Sequence, residues 1–127
     1  MRTIETQIIN YLRNNNFLDY PKLDNSKNLS MHDSVDISSN EKCVYLWGHC
    51  IFTLDKENNI KFSFRGWQTS TTKGRINALL SAFSSCSARI YQKNSQLFFS
   101  SSAGVFPIDS DKIYTIKNAK PEEVESI

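Results

Sequence analysis

Apolar residues recur at helical spacing in two stretches of the chain and at strand spacing through most of the rest. Near the N-terminus, Ile4, Ile8, Tyr11 and Leu12 share one stripe with Ile9 at its edge, which predicts a first helix over residues 3–16. Asn14, Asn15 and Asn16 lower helix propensity and end it. The second stretch, WQTSTTKGRINALLSAF, runs from Trp67 to Phe83. Counting from Ile76, Leu79, Leu80 and Phe83 fall at i+3, i+4 and i+7, so all four lie on one face. Ser70, Thr71 and Thr72 offer hydroxyls to the unpaired N–H groups of a first turn. A central helix is therefore expected to start within Thr69–Thr72 and to end near Ser84.

Strand patterns surround this helix. Cys43–Trp47 and Cys50–Leu54 are rich in β-branched and aromatic residues, with Gly48-His49 as the bend between them. Asp55–Asn59 is a polar turn. Ile60–Arg65 alternates, with Ile60, Phe62 and Phe64 on one face and Lys61, Ser63 and Arg65 on the other. Ala88–Gln92 and Gln96–Ser100 form a second hairpin around Lys93-Asn94-Ser95. Val105–Ile108 is an edge segment because Pro107 cannot donate to a ladder, and Ile113–Ile116 is a last strand.

The order helix, β-hairpin, helix, β-hairpin predicts an α+β fold. Its antiparallel sheet carries the central helix on one face, with an additional N-terminal helix. The helix stripe should pack on Ile60, Phe62, Phe64, Ile90 and Phe98, and Trp67 should lie half-buried between helix and sheet. Three regions are expected. Residues 1–40 hold the first helix and a long loop, with Phe17, Leu18, Tyr20, Leu23, Leu29 and Val35 as anchors. Residues 41–116 are the α+β core, and residues 117–127 are an exposed tail.

Charge changes this picture more than composition does. The chain of 127 residues has a formal net charge of only +2. Yet between Asn58 and Ile108 there is no acid, while Lys61, Arg65, Lys73, Arg75, Arg89 and Lys93 are all basic. All thirteen acids lie in the flanks. Such a block suits contact with a polyanion. No apolar run approaches the roughly 18 residues of a membrane span, and the N-terminus lacks the apolar core of a signal peptide. Three cysteines, Cys43, Cys50 and Cys86, without a metal-type cluster fit a reducing compartment. The expectation is a cytoplasmic protein with no membrane contact.

The segment Trp67-Gln68-Thr69-Ser70-Thr71-Thr72-Lys73-Gly74-Arg75-Ile76-Asn77-Ala78-Leu79-Leu80 resembles a family of small uncharacterised bacteriophage and mobile-element proteins, catalogued as a domain of unknown function. Its pattern is W-x-T-x-T-T followed by a helix R-[IL]-N-A-[LI]-L, then strands similar to Ile90-Tyr91-Gln92-Lys93 and Leu97-Phe98-Phe99. The resemblance covers residues 43–108. It implies a phage origin, hence the cytoplasm of a bacterial host, and work such as host takeover, counter-defence or nucleic-acid metabolism. It transfers no activity. Gly74 departs from the bulkier or hydroxyl residue usual there. A glycine in the first turn costs about 1 kcal/mol against alanine and allows a close approach.

Candidate chemistry is mostly cationic. Lys61, Ser63 and Arg65 share one strand face, and Arg89, Tyr91 and Lys93 share another. If both hairpins belong to one sheet, these residues lie together opposite the helix, and the parity of Tyr45 and Trp47 extends the face. Four cations and an aromatic ring there could track a phosphate backbone and stack a base. Lys73 and Arg75 at the start of the central helix form a second anion site, where the first-turn N–H groups add to the charge. Against this stand plainer roles: solvated side chains, helix capping, and Arg75 lying over the core edge.

Catalysis finds little support. His49 and Cys50 are strand neighbours that point to opposite faces. Cys43, His49, Cys50 and Cys86 lack a zinc-type spacing. The expectation is a non-enzymatic binding protein without metal or cofactor. Nucleic acid or another polyanion is its favoured ligand; the alternative is an inhibitor or adaptor that binds a host protein.

Overall fold

The computed structural model describes residues 2–19 and 25–127. Tyr20 and Leu23, expected as loop anchors, lie outside the described residues. Helix α1 spans Thr3–Asn14 and α2 spans Ser70–Phe83. Ten strands follow the order β1 (Asn25–Asn28), β2 (Asp33–Ile37), β3 (Glu41–Leu46), β4 (His49–Asp55), β5 (Ile60–Ser63), β6 (Arg89–Lys93), β7 (Gln96–Ser101), β8 (Gly104–Ile108), β9 (Ile113–Lys117) and β10 (Lys120–Val124). The fold is α+β with antiparallel pairing, as its alternating patterns predict.

The strands form two sheets. One has seven strands in the order β1-β2-β3-β4-β5-β9-β10, and the other has three in the order β6-β7-β8. Both turn an apolar face to one shared core. Phe62 of the large sheet stacks on Phe99 of the small one at 5.9 Å and on Tyr114 at 5.7 Å. The inner face of the large sheet is covered in turn by α1 over β2, α2 over β4, and the small sheet. Ile76, Leu79 and Leu80 are buried in this core, with Phe83 packed at its margin.

Capping explains where α2 begins. Thr69 Oγ1 accepts from the Thr72 N–H at 3.1 Å, and the two hydroxyls hydrogen-bond at 2.9 Å. Buried Lys42 covers the C-terminal end of α1, its Nζ donating to the Leu12 carbonyl at 2.5 Å and lying 4.9 Å from the Phe17 ring. A cation there complements the helix dipole, and burial pulls the Lys42 ammonium below its ordinary pKa.

Three expectations are corrected. Residues 25–37 are a hairpin rather than a long loop: β1, NSKN, is exposed at all four residues and is held by backbone pairing with β2, by Ser26 Oγ donating to Asp36 Oδ1 at 2.8 Å and by the Tyr11 hydroxyl donating to Asn25 Oδ1 at 3.2 Å. Residues 120–124 are a strand paired with β9 rather than a free tail. Asn118 and Ala119, at φ 53° and 62°, make the two-residue turn that returns the chain. Finally, Phe98 is not in the core. Leu97 and Phe99 are buried, and Phe98 faces outward.

Candidate functional site on the three-stranded sheet

The register of the small sheet sets its outer face. Arg89 pairs with Ser100, Tyr91 with Phe98 and Lys93 with Gln96, while Phe98 also faces Pro107 and Ser100 faces Val105. All these residues point away from buried Ile90, Leu97 and Phe99. Tyr91 and Phe98 stack at 5.4 Å with their planes 23° apart. Arg89 and Lys93 are exposed at either end of β6, and neither enters an ion pair among the described residues. Four residue steps along the strand separate them by about 14 Å.

The β6 edge is held by α2. Asn77 Nδ2 donates to the Ile90 carbonyl at 2.7 Å, and its Oδ1 accepts from the Ile90 N–H at 2.7 Å. This amide takes the place of a neighbouring strand at that edge. At the other end, Gln68 Nε2 donates to the Ser95 carbonyl at 2.8 Å. That bond ties the loop of Trp67 to the β6–β7 turn beside Lys93. Trp67, expected half-buried between helix and sheet, is 53% exposed.

Lys61, Ser63 and Arg65 do not join this face. They belong to the large sheet or its margin, and two sheets that face one core look outward in opposite directions. Lys61 is half-buried, with Nζ 3.4 Å from the Ser126 carbonyl. Ser63 is buried rather than wet: its hydroxyl donates to Lys112 O at 2.9 Å and accepts from Arg65 N–H at 3.0 Å. Arg65 follows β5 in a left-handed turn at φ 54°, which breaks the alternation. The single four-cation face is thus divided, because the helix and the second hairpin do not continue the same sheet.

The expected anion site at the start of α2 is likewise altered. Arg75 is 6% exposed and points into the protein. Its Nε donates to Asp33 Oδ1 at 2.7 Å, Nη2 to Asp33 Oδ2 at 3.3 Å, and Nη1 to Glu5 Oε2 at 2.9 Å. The chain itself occupies this guanidinium. Desolvation opposes its charge, yet the two carboxylates hold it above the usual arginine pKa. Gly74 accommodates the same cluster, since a Cβ there would lie 3.0 Å from Glu5 Oε2. Lys73 remains partly exposed on the first turn.

Thiols gather on the outer face of the large sheet. Cys43 Sγ donates to Glu41 Oε1 at 3.5 Å and Cys50 Sγ to the Phe52 carbonyl at 3.7 Å, and the interaction of the two thiols on neighbouring strands pushes Cys43 up and holds Cys50 down. Burial, first of all, raises Tyr45 beside them to about 12. Among the described residues, no three His, Cys, Asp or Glu side chains gather to hold a metal ion. His32 instead stacks on Trp47 at 3.5 Å. No helix among the described residues is long and apolar enough to cross a membrane.

Alternation along β6 put Arg89, Tyr91 and Lys93 on one face, as the register does, but left out Phe98 beside them. Three consecutive apolar residues, Leu97-Phe98-Phe99, leave the facing of β7 open. The turn at Asn94-Ser95, with φ 52° and 66°, was the available signal. A two-residue turn places Lys93 opposite Gln96 and therefore Tyr91 opposite Phe98.

No curated protein and no solved structure matches the chain. A family model described as Kyanoviridae Gp96 protein matches residues 1–118. The match includes α1 and the β1–β2 hairpin, both outside the resemblance expected from residues 43–108. The chain belongs to this phage protein family, Kyanoviridae Gp96.

Proposed function

We propose that this phage protein is a non-enzymatic nucleic-acid-binding module that holds a single strand across the outer face of its three-stranded sheet. The observation that carries the reading is the Tyr91–Phe98 stack, flanked by Arg89 and Lys93 on a sheet with no acid. Aromatic faces stack bases of any sequence, and flanking cations take the phosphates. The loop of exposed Trp67 extends the surface at the Lys93 end. Lys61, Arg65 and Arg75 have no part in this face.

Fluorescence anisotropy with a labelled single strand, repeated across a salt series, tests the reading. Affinity should fall steeply with salt, and Arg89→Glu with Lys93→Glu should lower the slope of log K against log salt by about 1.4, the share of two phosphate contacts. Duplex of the same sequence should bind more weakly, because its bases are already stacked. Equal binding by the double variant at every salt concentration would remove this face from consideration.

A protein partner is the second reading, favoured by a different surface. Met31 is 91% exposed and Trp47 54% exposed at the tips of two adjacent hairpins. Trp47 holds a left-handed φ of 55°, which is costly for a bulky residue and concentrates at functional positions. Exposed aromatics of this kind anchor protein interfaces. A host protein captured after nuclease treatment should be lost when Met31 and Trp47 are both replaced by serine. Retention by that variant would reject this surface.

A further inference from the structure

A cleft of about 580 Å³ opens beside β6, between the C-terminal half of α2 and the segment leading into the strand. Ser81, Ser84, Ser85 and Ser87 line it together with exposed Arg89, the hydroxyls of Ser81, Ser85 and Ser87 being the ones an occupant could reach. Buried Leu80 and Ala88 supply apolar surface. Ser84 Oγ is buried there and has no hydrogen-bond partner. A buried hydroxyl without a partner is uncommon and calls for an explanation.

The polarity of the cleft narrows its occupant. It lies at the C-terminal end of α2, where carbonyls dominate and the helix dipole disfavours an anion. A phosphate therefore belongs outside, on Arg89. The interior offers hydroxyls that donate, hydroxyls that accept, and apolar walls. A nucleobase with an exocyclic amino group presents all three matching features: a flat apolar body, acceptor nitrogens and N–H donors. Arg89 joins cleft and sheet, because it shares the outer face with Tyr91 and also lines the cleft.

We infer that the cleft takes up one unpaired, amino-bearing base of the bound strand, with the phosphate of that nucleotide on Arg89 and neighbouring bases on Tyr91 and Phe98. This inference rests on the proposed single-strand binding by the sheet face. It makes the protein a reader of one splayed-out base within an otherwise sequence-tolerant contact.

Adenosine monophosphate and ribose 5-phosphate, titrated separately into ¹⁵N-labelled protein, test the cleft directly. The nucleotide should move the amide signals of Ser84, Ser85 and Ser87, whereas the sugar phosphate should move only Arg89. Ser81→Leu, a change at an exposed helix position that fills the cleft, should abolish the first set of shifts. The same variant should weaken binding of a ten-residue oligo-dA about tenfold, the effect of roughly 1.4 kcal/mol, while oligo-dT binds both proteins alike. If Tyr91→Ala weakens oligo-dA and Ser81→Leu does not, the sheet-face reading stands and the cleft is overturned. Nucleotide shifts confined to Tyr91 and Phe98 also overturn the cleft. Absence of oligonucleotide binding by the unaltered protein overturns both.

Discussion

Replacing Arg75 with leucine should destabilise the protein by about 3–5 kcal/mol, the cost of leaving buried charge uncompensated. Glu5 on α1 and Asp33 on β2 are only 5% and 4% exposed, and both depend on this guanidinium. Three elements far apart in sequence meet there, so the loss is not confined to one helix. The midpoint of urea unfolding should fall with little change in m, since the surface exposed on unfolding is much the same. Replacing all three residues by leucine should cost less than Arg75→Leu alone, because no charge is then stranded. A single variant within about 1 kcal/mol of the parent would show that water reaches these carboxylates after all.

Two neighbouring phenylalanines give the second large effect. Phe99→Ala should cost about 3–5 kcal/mol, because Phe99 is fully buried and stacks on Phe62 across the two sheets. Phe98→Ala should cost only about 0.5–1.5 kcal/mol, the worth of its stack on Tyr91. The order reverses for ligand binding: Phe98→Ala should weaken single-strand affinity by about 1–3 kcal/mol, the contribution of one stacked base. Thermal melts and binding titrations of both variants decide the matter. Comparable stability losses from the two substitutions would mean that the facing of β7 is wrong.

Periodicity made the α2 boundaries, the strands from β3 to β9 and most of the core legible in the sequence. It failed where a strand carries no apolar period. β1 is four polar residues held by backbone pairing, and β10 has only Val124 as an aliphatic residue among KPEEV. It failed again where one assumption joined separate elements. The facing of Arg89, Tyr91 and Lys93 follows from alternation along one strand. The sharing of a sheet with Lys61 depends on pairing between distant strands, which local pattern does not encode. Arg75 was legible as a cation at a helix start. Its acidic partners lie 70 and 42 residues away, on elements whose approach no spacing rule predicts.

Among the described residues, every strand pair but one joins neighbours in sequence; the exception is β5 with β9, where Lys61 faces Thr115. Helix α2 and the whole small sheet are inserted between these two strands. Local hairpins close in microseconds, but joining strands across so long an insertion requires a large loss of chain entropy first. Phe62 contacts Phe99 within the insertion and Tyr114 beyond it. Closure of the large sheet is therefore rewarded only once the inserted unit has folded. A late, sequentially ordered closing step, slower than the size of the chain alone would set, follows from that topology.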